Sequence, residues 1–269
     1  MDNAAVKELR VLLRQVQDHL LTADALAGVR QESVGMVDVV THPTDDSPAL
    51  NYVLPRRNTA WVPAPAIEAG LHRLHEQGRA PRFQYMEGLF PPQFSDTLAK
   101  VGLAATKTLP VYAYKPGFMP PAGVYLPPPV VRLRVEPVKG DRATNRWQRG
   151  RDWPRLIDAR ATATGDDRLQ MFRFAANIDR VPSGFACIEV QREAGTAQIV
   201  TVALADGATG LHGLLNRLTR AALRHGGKLV FALADGTAAT ALQALGFTEI
   251  GQLKRFAAAP PQKAQDKIP

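Results

Sequence analysis

At 269 residues with a formal charge of +8, the chain is long enough to bury a substantial core, either as one large domain or as the two small ones expected here. No apolar run approaches the ~20 residues that cross a bilayer. The N-terminus carries Asp2, Lys7, Glu8 and Arg10 inside a helical pattern and does not read as a signal peptide, so a soluble, cytoplasmic protein with no membrane partner is expected. The single cysteine, Cys187, excludes disulfides and cysteine-rich zinc sites, and its apolar setting reads as that of a small buried hydrophobe.

In chain order, Ala4 to Leu20 reads as a helix whose inward face carries Val6, Leu9, Leu13, Val16 and Leu20. Gly35 to Val40 and Ala49 to Leu54 are strand candidates, separated by the turn-rich His42-Pro-Thr-Asp-Asp-Ser-Pro48. Pro65 opens a helix through Gly78, with Ile67, Leu71 and Leu74 inward. His72 and His75 lie three apart on it, but no acidic or cysteine partner is spaced with them, so a solvated face and no metal are expected. Arg82 to Met86 gives a strand, Gln93 to Val101 a helix stopped at Gly102, and Leu109 to Tyr114 another strand.

Lys115 to Pro129 holds six prolines and two glycines and reads as a domain linker. Structure restarts with a strand at Val130 to Val135. Between Arg142 and Leu156, Arg142, Arg146, Arg149, Arg151 and Arg155 interleave with Trp147 and Trp153. Three readings stay open there: a nucleic-acid surface of phosphate-holding arginines and base-stacking rings, a border to a substrate site, or an amphipathic segment with core tryptophans.

Leu169 to Phe174 and Phe185 to Gln191 read as a hairpin leading into Ile199-Val-Thr-Val-Ala-Leu204, an apolar, β-branched strand. The strand stops at Ala205-Asp-Gly-Ala-Thr-Gly210, and a helix follows with Leu211, Leu214, Leu215, Leu218 and Ala222 on one face and Arg217, Arg220 and Arg224 on another. Gly226-Gly227 ends it. Leu229 to Leu233 is a strand, Thr237 to Leu245 a helix, Ile250 to Leu253 a strand, and Ala257 to Pro269 a disordered tail. A glycine loop between strand and helix aims unpaired N–H groups and the positive helix end at an anion. Neither nucleotide-binding glycine pattern is present.

This order resembles the GNAT acyltransferase superfamily. The matching residues are Val202-Ala-Leu204, Gly210-Leu-His-Gly213, Asp235 and Leu245-Gly-Phe247. Gly207 stands where that family has Arg or Gln, His212 where it has Gly or Ala, Asp235 where it has Asn, and Leu242 where it has a Tyr. The resemblance implies an acetyl-coenzyme A-dependent N-acyltransferase. The backbone of Val202, Ala203 and Leu204 would orient the thioester. Thr209, Gly210, Leu211, His212 and Gly213 would hold the pyrophosphate, and Asp235 would complete the cofactor set. The acceptor would be an amine of a small molecule or peptide. The positive charge suits the phosphates of coenzyme A as well as nucleic acid.

The same element order occurs earlier in the chain, with Leu98-x-x-Val-Gly102-Leu103 echoing Leu242-x-x-Leu-Gly246-Phe247. Two tandem GNAT-like domains are therefore expected, each a mixed, mostly antiparallel sheet flanked by helices. Their expected bounds are 1–115 for a degenerate first copy, 116–129 for the linker, 130–256 for the coenzyme-binding copy and 257–269 for the tail. Pro63 and Pro65 remove N–H donors at the equivalent loop of the first copy.

Glu189 is the candidate general base, although strand alternation sets it opposite Ile188 and Val190 on a face read as solvent. No tyrosine follows Tyr125, so the second domain lacks the usual proton donor, a loss worth ~10²–10⁴-fold in rate. The alternative function is a catalytically degenerate GNAT-like binding protein acting on nucleic acid through Arg142 to Arg155.

Overall fold

The structure, a computed structural model, describes residues 3–116, 133–137, 168–178, 181–204 and 210–259. The residues from 117 to 132, which hold most of the expected linker, and the arginine–tryptophan stretch Arg142 to Leu156 lie outside them. The chain divides into two compact units: a larger one from Met1–Ala27 and Leu109–Gln252, and a smaller one from Gly28–Thr108 and Leu253–Pro269. Neither is continuous in sequence, in contrast to the single cut at a linker that composition suggests.

The smaller unit contains β1 (Arg30–Val34), β2 (Val37–Thr41), β3 (Tyr52–Pro55), α2 (Ala64–Glu76), β4 (Arg82–Glu87) and α3 (Phe94–Lys100). It also takes the first half of β5 (Leu103–Tyr114) and the last half of β11 (Thr248–Ala258), in strand order β1-β2-β3-β4-β11-β5. β1 and β2 form a hairpin turned by Gly35 at φ 60°, where a side chain is strained. β1 itself has only exposed and half-buried positions and gave no periodic signal. β3 and β4 run parallel, Val53 opposite Phe83. α2 lies so close over them that a Cβ at Gly70 would meet Val37 Cγ2 at 2.6 Å and Val53 Cγ1 at 2.9 Å. Ile67, Leu74, Phe83, Phe94 and Leu98 are buried in its core. β11 continues through Ala258, so Ala257 and Ala258, expected in the tail, are strand, and 260–269 lie outside the described residues.

The larger unit contains α1 (Asn3–Leu26), β6 (Leu133–Pro137), β7 (Gln170–Ile178), β8 (Val181–Gln191), β9 (Thr196–Leu204), α4 (Leu211–Arg224), β10 (Leu229–Leu233) and α5 (Gly236–Ala244). With its share of β5 and β11 the strand order is β11-β5-β10-β9-β8-β7-β6. β9 and β10 are parallel, and β10 is antiparallel to β5, from Val230 opposite Tyr114 to Leu233 opposite Val111. α4 buries Leu214, Leu215, Leu218 and Ala222 against Ile188, Val190, Ile199 and Val230. Each of those leucines contributes roughly 1.5–3 kcal/mol of transfer free energy.

α1 meets its unit through a stripe different from the expected one. Leu12, Leu13, Val16, His19 and Ala23 are buried, whereas Val6 is exposed. Leu13 and Val16 belong to both stripes; the true one is rotated so that it includes a histidine.

Candidate functional site

Three local features coincide in the larger unit. First, β9 pairs with β10 from Thr196 opposite Leu229 to Ile199 opposite Ala232, and the described pairing stops there although β9 runs on to Leu204. Beyond that point β9 stays paired with β8, Thr201 through Leu204 lying opposite Cys187 through Gly184. The two parallel strands thus part, and among the described residues no strand takes up the β10-side edge of Val200 to Leu204. Second, the β8–β9 register shifts at the same place: Ile188 faces Ile199 but Cys187 faces Thr201, leaving Val200 as an extra residue. Such a bulge bends its strand and re-aims the adjacent backbone groups.

Third, α4, the next described element after β9, starts on Gly210, whose φ of 85° and ψ of −12° are left-handed. Leu214 N–H donates to Gly210 C=O at 2.9 Å, closing the first turn. The N–H groups of Leu211, His212 and Gly213 come before the first intrahelical donor and point out of the helix end. The His212 imidazole lies in this turn, half-buried, and its Nε2 is shielded from solvent with no hydrogen-bond partner. An anion at this end would meet those N–H groups, so the residues present fit a pyrophosphate.

Of the sequence-selected residues, Val202, Ala203 and Leu204 lie on the diverging end of β9, with Val202 and Leu204 packed toward α4. Gly210, Leu211, His212 and Gly213 form the start of α4. Thr209 and Gly207 lie outside the described residues. Asp235 is the N-cap of α5 in extended conformation (φ −131°, ψ 172°), exposed, with no side-chain cap hydrogen bond. Leu242, where the resemblance implies a tyrosine, is 1 % exposed and packed in the core.

Glu189 does not face solvent. It is 0 % exposed because α1 covers that face of the sheet, placing His19 Nε2 3.9 Å from Glu189 Oε2. His19 Nδ1 lies 2.8 Å from Thr196 Oγ1, and Gln191 Nε2 donates to His19 C=O at 2.9 Å. Alternation along β8 identifies the face; it carries no information on what lies over it.

The larger unit also has phenols that the expected domain bounds denied it. Tyr112 and Tyr114 stand on the part of β5 paired with β10, and both pack with the α4-side core. The Tyr112 hydroxyl donates to Glu249 Oε2 at 3.5 Å. Burial, followed by the Glu249 carboxylate, pushes the Tyr112 phenol above its usual range, so it stays protonated. The contact that would have revealed it is the pairing of Val111–Tyr114 with β10, which no local pattern encodes.

His72 on α2 pairs with Glu76 at 3.2 Å on an exposed face. No group of three or more metal-ligating side chains gathers among the described residues. No described helix is long and apolar enough to cross a membrane.

Solved structures match nearly the whole chain. A GCN5-related N-acetyltransferase from Kribbella flavida superposes with a TM-score of 0.68 at 15 % identity, over 95 % of this chain and 97 % of that one. The fold is that of the GNAT acetyltransferases. It is the tandem form: a tandem GNAT protein from the clavulanic acid biosynthesis pathway matches with a TM-score of 0.55 at 15 % identity, over 83 % of this chain and 79 % of that one. A conserved protein of unknown function from Staphylococcus epidermidis matches with a TM-score of 0.58 at 12 % identity, over 85 % and 93 % of the two chains. No protein-family model matches the sequence, and no curated protein matches it. Within this GNAT fold, β9, Gly210 and α4 occupy the strand, turn and helix on which the sequence resemblance rests.

Proposed function

We propose that the larger unit binds acetyl-coenzyme A and transfers its acyl group to a primary amine. The observation that carries this reading is the parting of β9 from β10 after Ile199 and Ala232, directly ahead of a helix that starts on left-handed Gly210. A strand edge that no described strand takes up suits an extended chain bearing amides, because such a chain can add to the sheet as a further strand. The pantetheine arm of coenzyme A has that character. Its amides would meet Val202, Ala203 and Leu204, and its pyrophosphate would meet the N–H groups of Leu211, His212 and Gly213, with Thr209 beside them. Asp235, at the start of α5, borders the same end of β10.

The bound thioester supplies an activated acyl group. The protein's own part is to hold the carbonyl beside the bulged backbone at Val200, to exclude water, and to take a proton from the attacking amine. Glu189 is the residue assigned to that proton. It lies on β8 one register step from the bulge, opposite Gln198. The smaller unit, with Pro63 at its N-cap and Pro65 in the first turn, keeps the fold without the donor site. Titration of the full-length chain with coenzyme A, followed by mass detection of acylated products from a mixture of amines, tests the reading; absence of coenzyme A binding refutes it.

A second reading, a GNAT-fold binding protein without turnover, is supported by Leu242. A buried leucine stands at the position of the tyrosine, and it cannot return a proton to a thiolate.

A further inference from the structure

The far end of α4 gathers positive charge. The helix holds 14 residues and no Asp or Glu. Its exposed Arg217, Arg220 and Arg224 fall in one narrow sector, because seven residues make close to two turns. The helix ends against two turns that are stapled together: Lys228 N–H and Leu229 N–H both donate to Gly195 C=O, at 2.6 and 2.9 Å. Side chains cross the same junction. A Cβ at Gly226 would meet Arg192 Cγ at 3.4 Å, and one at Gly195 would meet Lys228 Cδ at 3.2 Å. Arg192 Nε also donates to His225 C=O at 3.2 Å. Arg192 and Lys228 thereby carry the arginine stripe of α4 onto the two turns.

Other surface cations are paired: Arg73 with Glu32 and Glu76, Lys115 with Glu8, Lys254 with Glu87. Among the described residues no ion pair engages Arg192, Arg220, Arg224 or Lys228. Glu193, exposed, is the one carboxylate of the turns 192–195 and 225–228. Like charges gathered without carboxylates raise the local potential and attract a polyanion. We propose that Arg220, Arg224, Arg192 and Lys228 form a binding surface for the phosphate backbone of a nucleic-acid strand. Beside them the His225 ring stacks on Phe172, with centroids 3.8 Å apart and 21° between the planes. Cations in a line with a flat aromatic pair are the usual means of holding such a strand. A protein partner would need an apolar core to the patch, and a membrane would need apolar side chains to insert. The large exposed hydrophobics among the described residues are Val6, Val11, Met36 and Trp61, none of them on α4 or these turns. The surface lies roughly 20 Å along α4 from Gly210, so it is separate from the coenzyme site and does not depend on the acyltransferase reading.

The test is fluorescence anisotropy of a labelled oligothymidine with full-length protein over a salt series. A first triple variant, Arg192→Gln, Arg224→Gln and Lys228→Gln, is compared with a second, Lys7→Gln, Lys100→Gln and Lys107→Gln, which removes the same charge from exposed positions elsewhere. The proposal expects the first to bind about tenfold weaker or worse at low salt, with a log–log salt slope shallower by about two, at ~0.7 per lost phosphate contact. The second should stay near the wild type. The oligonucleotide should also shift the His225 signal of ¹³C-histidine-labelled protein, assigned by its loss in His225→Gln. No binding by the wild type, an equal loss in both triple variants, an unmoved His225 signal, or equal wild-type affinity for polyglutamate or phosphatidylglycerol vesicles overturns the proposal. Coenzyme A, titrated into the same samples, should bind the wild type and the first variant alike. Loss of both ligands in that variant would make the surface part of the coenzyme site and overturn the proposal. Oligonucleotide binding without coenzyme A binding in the wild type sinks the acyltransferase reading alone.

Discussion

The connections β3-α2-β4 and β9-α4-β10 are the same device built twice. In both, two parallel strands are joined by a helix, and a large aromatic residue, Phe83 or Phe231, is buried on the second strand. They differ where strand turns into helix. α4 begins on Gly210 in a left-handed conformation with no proline in its first turn. α2 begins on Pro63, and the N–H groups of Ala66 and Ile67 both turn back to Pro63 C=O, at 3.0 and 3.3 Å. The stretch before it holds Asn58 at φ 69° and a turn in which Thr59 N–H and Oγ1 both donate to Arg56 C=O. Donors that α4 leaves pointing outward are consumed locally at α2. Packing preserves the fold in both copies, and the two turns differ in whether the first-turn N–H groups are left pointing outward.

The shared part of the comparison predicts the largest effect. Phe83→Ala and Phe231→Ala should each destabilise by about 3–5 kcal/mol, because both rings are fully buried on equivalent strands. Urea unfolding checks this, and a cost below ~1 kcal/mol at either site would break the equivalence. Next comes the turn. Gly210→Pro should lower coenzyme A affinity about a hundredfold or more while far-ultraviolet circular dichroism stays close to that of the wild type, since proline is locked near φ −65° and cannot adopt φ 85°.

Arg217 and Arg220 sharpen the comparison at smaller scale. Both are exposed on α4, so replacing each with Ala should cost about 0.3–1 kcal/mol of coenzyme binding at low salt and less at high salt. A salt-independent affinity in the double variant equal to that of the wild type would confine them to solvating the helix.

The smallest effect concerns pH. Burial, then Arg192 and Arg224, hold the His225 pKa below its ordinary 6.5. The unfolded chain therefore binds this proton more readily than the folded one. Its contribution to stability is complete above pH 6.5 and is lost as pH falls through the lowered folded value. Thermal melts of His225→Gln should lose that part of the acid slope; an unchanged slope would contradict the assignment.

The sequence made the second copy legible because its signals are local. The leucine stripe of α4, the apolar run Leu229 to Leu233 and Gly246-Phe247 all sit where periodicity and glycine placed them. What stayed hidden is non-local. Leu109 to Tyr114 read as a strand, but nothing in its composition says that it pairs with β10. That pairing brings Tyr112 and Tyr114 into the larger unit. Glu189 read as facing away from Ile188 and Val190, which is correct, and as solvated, which is not, because the covering helix comes from 170 residues earlier. A trace of it was present: His19 falls on the Leu12, Val16, Ala23 spacing of α1, a polar residue in an apolar stripe.

One copy of this device leaves its first-turn donors open and the other consumes them. Isothermal titration of coenzyme A into the full-length chain tests it most directly, through stoichiometry. The account predicts one equivalent bound per chain, with affinity that falls as salt rises. Two equivalents would contradict the difference drawn between Gly210 and Pro63, and none would contradict the donor site itself.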